Sequence, residues 1–392
     1  MKLTTRRYLL PFVLITSLFF LWGFARSILD VLNQHFCDSM EISITESSLI
    51  QVTTFLAYFL TAIPAGNFIA RYGYRRGVVT GLLLYALGSL LFIPGAHFNT
   101  LPAFLVCLFI IGVGLTFLET SANPYATELG PKETATSRLN LSQSFNGLGS
   151  MIAPALVGGF IFVGGDITVP YIIMGIVVLL VALIFSRVEL PEITESAPEA
   201  NHTPAASSAS TRLSRYFFFG LMALLAYEVA EISINSYFVM FLTGEGYADR
   251  IEASRLLSLA LGIFMCGRFI GAWVMQRVRP SVVLLACACG SLLCMLSVLF
   301  LPSLALYALV LNFACESIMF PTIFSLSLSG LDGRAKKKAS SLLMMTPVGG
   351  CAFLLMGLIA DSGSLVLPLL IPLVGFALVA AFAFRATQAK SY

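Results

Sequence analysis

Of 392 residues, 58% are hydrophobic and only 11% are charged, whereas soluble domains carry about 25% charged residues; with a mean hydropathy of +0.91 the chain reads as a multi-span membrane protein. Its net charge of +3 is too small to imply a nucleic-acid partner. The eight cysteines lack ligand spacing, so neither a disulfide framework nor a metal site is expected.

Each crossing of about 30 Å of hydrocarbon needs about 20 helical residues. Apolar runs of that kind lie at 8–33, 48–70, 76–94, 100–125, 139–163 and 168–187. The first is too long for a signal peptide and has no small-residue cleavage site, so it is expected to stay as a helix. Residues 191–212 (PEITESAPEANHTPAASSASTR) cannot bury a core and read as a disordered cytoplasmic linker. A second set follows at 215–242, 252–275, 280–301, 303–329, 337–360 and 364–385. The expected organisation is a six-helix bundle over 1–190, a linker over 191–213 and a second bundle over 214–392. Arginines and lysines gather at both termini and after even-numbered spans, for example Arg71, Arg75, Arg76, Arg277, Arg279 and the run Lys336 to Lys338, while Arg250 and Arg255 stand on the other side. The bias places both termini in the cytoplasm.

Six ionisable residues interrupt the apolar runs: Arg26, Asp30, Glu119, Glu228, Glu231 and Glu316. Each costs about 2.5 to 3.5 kcal/mol on insertion scales and marks a polar path. Helical spacing puts Trp22, Arg26, Asp30 and Asn33 on one face of span 1. Thr116, Glu119 and Asn123 stack on span 4, Gln143, Asn146 and Ser150 on span 5, and Glu228, Glu231 and Asn235 on span 7 beside Tyr227. Such amides, carboxylates and aromatic rings, Tyr58 included, suit a hydroxyl-rich solute, because polar groups bond ring hydroxyls while an aromatic face covers the C–H side. Each has a plainer reading. Asn123 and Ser150 equally serve as glue between helices, Trp22 and Tyr58 as packing, and Arg268 as a structural residue. There is no nucleophile with a paired base and no phosphate loop, and His35, His97 and His202 are placed in loops, so an enzyme is not expected.

The halves echo each other: Glu119 and Pro124 in span 4 match Glu316 and Pro321 in span 10 at the same spacing, and Gly66-Asn-Phe-Ile closing span 2 has a looser counterpart in Gly271-Ala-Trp-Val closing span 8. A duplicated six-helix unit is the signature of transporters whose halves rock about a midplane site.

Gly66, Arg71, Gly73 and Arg75 resemble the gating loop between spans 2 and 3 of the major facilitator superfamily, with Ala70 where that motif usually has an aspartate. The runs FFLWGFARSILD (19–30), PAGNFIARYGYRRGVVTGLLLYALG (64–88), LETSANP (118–124), RLNLSQSFNGLG (138–149), GRFIGAW (267–273) and FPTIFSL (320–326) together resemble the fucose-galactose-glucose:proton symporter family. The resemblance implies an all-α membrane protein of twelve transmembrane helices in two pseudo-symmetric six-helix bundles. It implies a proton-coupled monosaccharide symporter, a monomer in the lipid bilayer of the bacterial inner membrane, with protons as coupling ion and no other cofactor. It assigns proton coupling and sugar recognition to the positions of Asp30 and Glu119, and sugar binding to that of Asn146. The fucose branch has an amide where Arg26 stands and a glutamine where Glu231 stands; the glutamate looks more like the glucose/galactose branch. An acidic sugar, another polar metabolite and proton-coupled export stay open. Arg26 is expected to hold Asp30 or Glu119 charged, or else to bind a substrate carboxylate.

Overall fold

The computed structural model describes residues 4–98, 100–130, 135–188, 214–275, 277–329, 339, 342–343 and 345–388, and among these the backbone is helix and turn throughout. The expected linker, Lys132 and the run Lys336 to Lys338 lie outside the described residues.

Helix α1, Leu9–Met40, overruns its apolar run by seven residues, ending where Glu41 takes a left-handed φ of 53°. Gln34 to Met40 contain neither Pro nor Gly, so nothing stops the helix once the membrane has been crossed. A capping box of Ser43 and Glu46 starts α2, Ile44–Tyr72. That helix stops at Gly73, whose φ of 86° a side chain would oppose, and α3, Tyr74–Leu90, begins at once. Then come α4 (Phe92–Phe98), α5 (Leu101–Glu128) and α6 (Ala135–Ala153). A π turn at Pro154–Gly158 leads to the short α7 (Gly159–Ile161), and α8 (Thr168–Arg187) follows.

The second set consists of α9 (Arg215–Gly244), α10 (Arg250–Val274), α11 (Pro280–Phe300), α12 (Ala305–Glu316), α13 (Met319–Ser327), a 3₁₀ segment at Thr346–Ala352 running into α14 (Phe353–Asp361), and α15 (Leu370–Gln388). Eleven helical stretches among the described residues are long and apolar enough to cross a membrane, and Thr346–Asp361 is a shorter apolar one in the position of the span expected at 337–360. Two histidines depart from expectation: His35 lies within α1 and His97 within α4, because helix continues past the apolar runs. His202 lies outside the described residues.

The surface is inverted relative to a soluble protein. On α8, Tyr171, Gly175, Val178, Ala182 and Phe185 face inward, while Ile173, Ile176, Leu180 and Leu183 are exposed. Such a face needs lipid, and helices satisfy their own backbone there.

In the first half α1 packs on α6, α2 and α3 on α5, and α3 on α8. Six spans later the scheme recurs: α9 packs on Thr346–Ala352, α10 and α11 on α12, and α11 on α15. The halves meet through α1 with α9, α2 with α14 and its 3₁₀ lead, and α6 with α10. The α1–α6 seam depends on glycine: a Cβ at Gly23 would collide with the Asn146 carbonyl, and one at Gly149 with the Phe20 carbonyl. Small residues of this kind let membrane helices approach closely.

Candidate functional site

Where α1 crosses α9, charges from opposite halves meet. Arg26 Nη2 on α1 lies 3.4 Å from Glu231 Oε2 on α9, and Asn235 Nδ2, one turn further along α9, donates to the other oxygen of Glu231 at 3.0 Å. One turn along α1, Asp30 Oδ1 accepts from Ser236 Oγ of α9 at 3.3 Å. The guanidinium carbon sits 5.7 Å from the centre of the Phe55 ring. Trp22 Nε1 donates to the Tyr58 hydroxyl at 3.1 Å. A cavity of about 20 Å³ is bordered by Arg26, Phe55, Tyr58, Glu119 and Pro347; that volume holds about one water molecule. The sequence reading has Arg26 hold Asp30 or Glu119 charged; both lie within reach of its charge, and the structure adds a partner that reading did not name, the ion-paired Glu231. Spacing on one helix carries no information about the facing helix, and the long guanidinium arm reaches across to Glu231 while Asp30 turns to Ser236.

Glu228, Glu231 and Glu119 all lie close enough to Arg26 to interact with its charge, as Asp30 does. Arg268 also reaches Glu228, so two cations face these four carboxyl groups, and the Arg26–Glu231 ion pair matches only one of them. Carboxylates left over in low dielectric must be protonated, hydrated or paired by something that arrives.

Other predicted residues are distributed differently. Asn146 Nδ2 donates to the Phe19 carbonyl at 3.3 Å and Ser150 Oγ to the Gly23 carbonyl at 3.2 Å, both bracing α6 against α1. Gln143 Nε2 donates to Asn123 Oδ1 at 3.2 Å. Asn33 is fully buried and bonds its own helix at the Leu29 carbonyl, 3.4 Å away. Tyr227 and Glu228 are buried, and Glu228 Oε2 has no hydrogen-bond partner. Glu316 is also fully buried; Oε2 accepts from Asn312 Nδ2 at 2.9 Å and Oε1 is unpartnered. Thus Trp22, Arg26, Tyr58, Glu119, Glu231 and Asn235 converge, while Asn33 and Glu316 are sealed away from that cavity. Phe55, Ser236 and Pro347 were missed: a phenyl ring, a hydroxyl and a proline in apolar runs carry no polar-stripe signal.

The expected span at 303–329 is broken between Glu316 and Met319. Pro321 has no N–H for the carbonyl four residues back, that of Ser317. Arg268 Nε on α10 supplies the missing donor at 3.2 Å, its guanidinium resting 4.6 Å from the Phe264 ring. At the π turn the converse need is met: Ala155 N–H finds its acceptor in Ser258 Oγ of α10 at 2.7 Å.

At the end of the molecule holding the α1–α2 turn, three polar links tie the halves together. Asp361 accepts from the Ile44 and Thr45 N–H groups, the open donors of the first turn of α2, at 3.0 and 2.9 Å. Arg250 grips Asp38 through Nε at 2.6 Å and Nη2 at 2.9 Å. Thr243 Oγ1 donates to Gln34 Oε1 at 3.3 Å. At the opposite end Arg75 Nε donates to the Phe185 carbonyl at 3.4 Å and Thr4 Oγ1 to the Leu129 carbonyl at 2.7 Å, both within the first half.

A family model described as Major Facilitator Superfamily matches residues 12–354. The chain belongs to the major facilitator superfamily. Within it, the chain is 34% identical to a Brucella abortus glucose/galactose transporter, with 93% of this chain and 91% of the relative covered. It is also 34% identical to the L-fucose-proton symporter of Escherichia coli, with 99% and 95% covered, and to that of Haemophilus influenzae, with 98% of each covered. The crystal structure of the E. coli fucose:proton symporter FucP superposes with a TM-score of 0.69 at 33% identity, covering 98% of this chain and all of that one. In this facilitator fold the loop between α2 and α3 has the geometry already described. Gly73 makes the turn, Arg75 holds the carbonyls of Phe185 and Ser186 at the end of α8, Arg71 lies 5.3 Å from the Tyr72 ring, and Gly66 faces open space.

Proposed function

We propose that the protein is a proton-coupled monosaccharide symporter of the bacterial inner membrane that works as a monomer by alternating access. The observation that carries this reading is the unbalanced charge between the bundles: Arg26 and, near Glu228, Arg268 against Asp30, Glu119, Glu228 and Glu231, with Glu119 on the cavity wall beside the Trp22–Tyr58 pair. Kinship with L-fucose-proton symporters and glucose/galactose transporters over nearly the whole chain supports it.

Asp30 and Glu119 are the proton carriers. An incoming proton removes a charge that nothing else balances, and sugar hydroxyls then bond to the carboxyl and amide groups around Tyr58 and Trp22. Asp30, Trp22 and Arg26 belong to one half, and Ser236 and Glu231 to the other. A change of protonation at this crossing therefore alters the contact about which the halves turn. Each proton driven inward contributes about 2.3 kcal/mol per 100 mV of membrane potential.

With both termini cytoplasmic, the end tied by Asp361 and Arg250 faces the periplasm. The described conformation is then closed to the outside, and opening it requires those links to part.

Purified protein in liposomes provides the test, with labelled galactose, glucose or fucose uptake and external alkalinisation followed together. Uptake with matching alkalinisation is expected, and Glu119→Gln should abolish accumulation while sugar exchange continues. Uptake by the wild-type protein with no proton movement refutes the coupling.

A further inference from the structure

A guanidinium in a polar transport site is the natural hook for a carboxylate, because its planar fork bonds both oxygens at once. Arg26 is the one cation bordering the central cavity among the described residues, so its availability decides whether the site accepts acidic sugars. It is not free. Arg26 Nη2 faces Glu231 Oε2 at 3.4 Å, and Asn235 Nδ2 steadies the other oxygen at 3.0 Å, fixing the carboxylate from behind. The Glu231 side chain is only 13% exposed, and Glu119 lies on the same cavity wall.

Resting on the symport reading above, we propose that Glu231 sets the substrate class: by occupying Arg26 it restricts the site to uncharged sugars and excludes hexuronates. A substrate carboxylate that took Arg26 would strand Glu231 in low dielectric without a cation. It would also add a negative charge beside Glu119, Asp30 and Glu228. A neutral hexose needs none of this, since its hydroxyls bond the carboxylates where they stand. Asn235 is a positioning residue in this scheme, acting on substrate through Glu231.

The same logic makes Glu231 a latent specificity switch. Glu231→Gln keeps the size of the side chain and an oxygen for Asn235, but it cannot hold a guanidinium. Arg26 then becomes available to a substrate carboxylate.

The test is ligand-induced thermal stabilisation of purified protein in detergent at pH 7, with glucose, galactose, fucose, glucuronate and galacturonate. The wild-type protein should be stabilised by at least one neutral sugar and by neither uronate. Glu231→Gln should gain a uronate shift at a concentration at least about tenfold below any effect on the wild type, the scale of one lost charge partner, and Arg26→Gln added to it should abolish the gain. Glu231→Ala serves as a second release of Arg26 should the glutamine variant fail to melt cooperatively. Uronate stabilisation of the wild-type protein overturns the proposal, as does a folded Glu231 variant that gains none. Failure of every neutral sugar to stabilise the wild-type protein sinks the symport reading instead, and the uronate comparison between variants still reports on Arg26.

Discussion

Removing the links at the α1–α2 end should shift the protein toward a state open at that end by a calculable amount. The Arg250–Asp38 pair has side chains 53% and 30% exposed, and exposed pairs contribute about 0.5 kcal/mol. Asp361 accepts two N–H groups at the start of α2. A carboxylate capping a helix N-terminus contributes about 1 kcal/mol. The two links share no partner, so Asp361→Ala combined with Arg250→Ala should cost the closed state about 1.5 kcal/mol, roughly a tenfold change in the ratio of the two states. Met240 reports on this, because it borders the cavity of about 490 Å³ that Arg250, Thr243 and Gln34 of the links also line and is only 4% exposed. In a background stripped of native cysteines, a cysteine placed by Met240→Cys should react with a membrane-impermeant maleimide at a rate set by the open population. The double substitution should speed that reaction about tenfold, and each single one about two- to sixfold, as the separate energies require. If the rate is unchanged while thermal stability is also unchanged, these contacts do not hold the closed state and the argument fails.

The repaired break in span 10 yields a paired prediction. Arg268→Ala leaves the Ser317 carbonyl without its donor and should destabilise the protein by about 1 to 3 kcal/mol. Adding Pro321→Ala returns a backbone N–H to that carbonyl, so part of the lost melting temperature should come back in the double variant; equal losses in both would show that the hydrogen bond is not what Arg268 supplies. Gly23→Ala drives a methyl group into the Asn146 carbonyl and should cost about 1 to 3 kcal/mol by overpacking, read as a fall in melting temperature. Tyr58→Phe removes the acceptor of Trp22 Nε1 and should raise the KM for sugar uptake about fivefold, the worth of one hydrogen bond near 1 kcal/mol; an unaltered KM would place the pair in packing alone.

Some of this architecture follows from single-helix information and some cannot. The hydrocarbon thickness imposes a run length, so the spans are visible as runs, and a residue's own helix determines which stripe it joins. That is why Trp22, Arg26 and Asp30 were assigned to one face. Partnership across helices obeys other rules. Arg26 lies one helical turn from Asp30, a spacing at which helix residues pair, but its ion pair is with Glu231, 205 residues away. Pro321 announces a freed carbonyl, but nothing in the residues around it says that Arg268 on another helix will satisfy it. Asp361 is a lone acid after an apolar run; only the approach of α14 to the start of α2 makes it a cap. Polar residues in membrane helices are thus easier to detect than to interpret, since their cost in lipid is intrinsic whereas their partner is a property of the fold. Of the acids detected that way, Glu119 and Glu231 meet the one cation of the cavity while Glu316 is closed off with Asn312. Under the symport proposal such a carboxyl draws its role from lying where the two halves meet, and the α1–α9 crossing is such a contact.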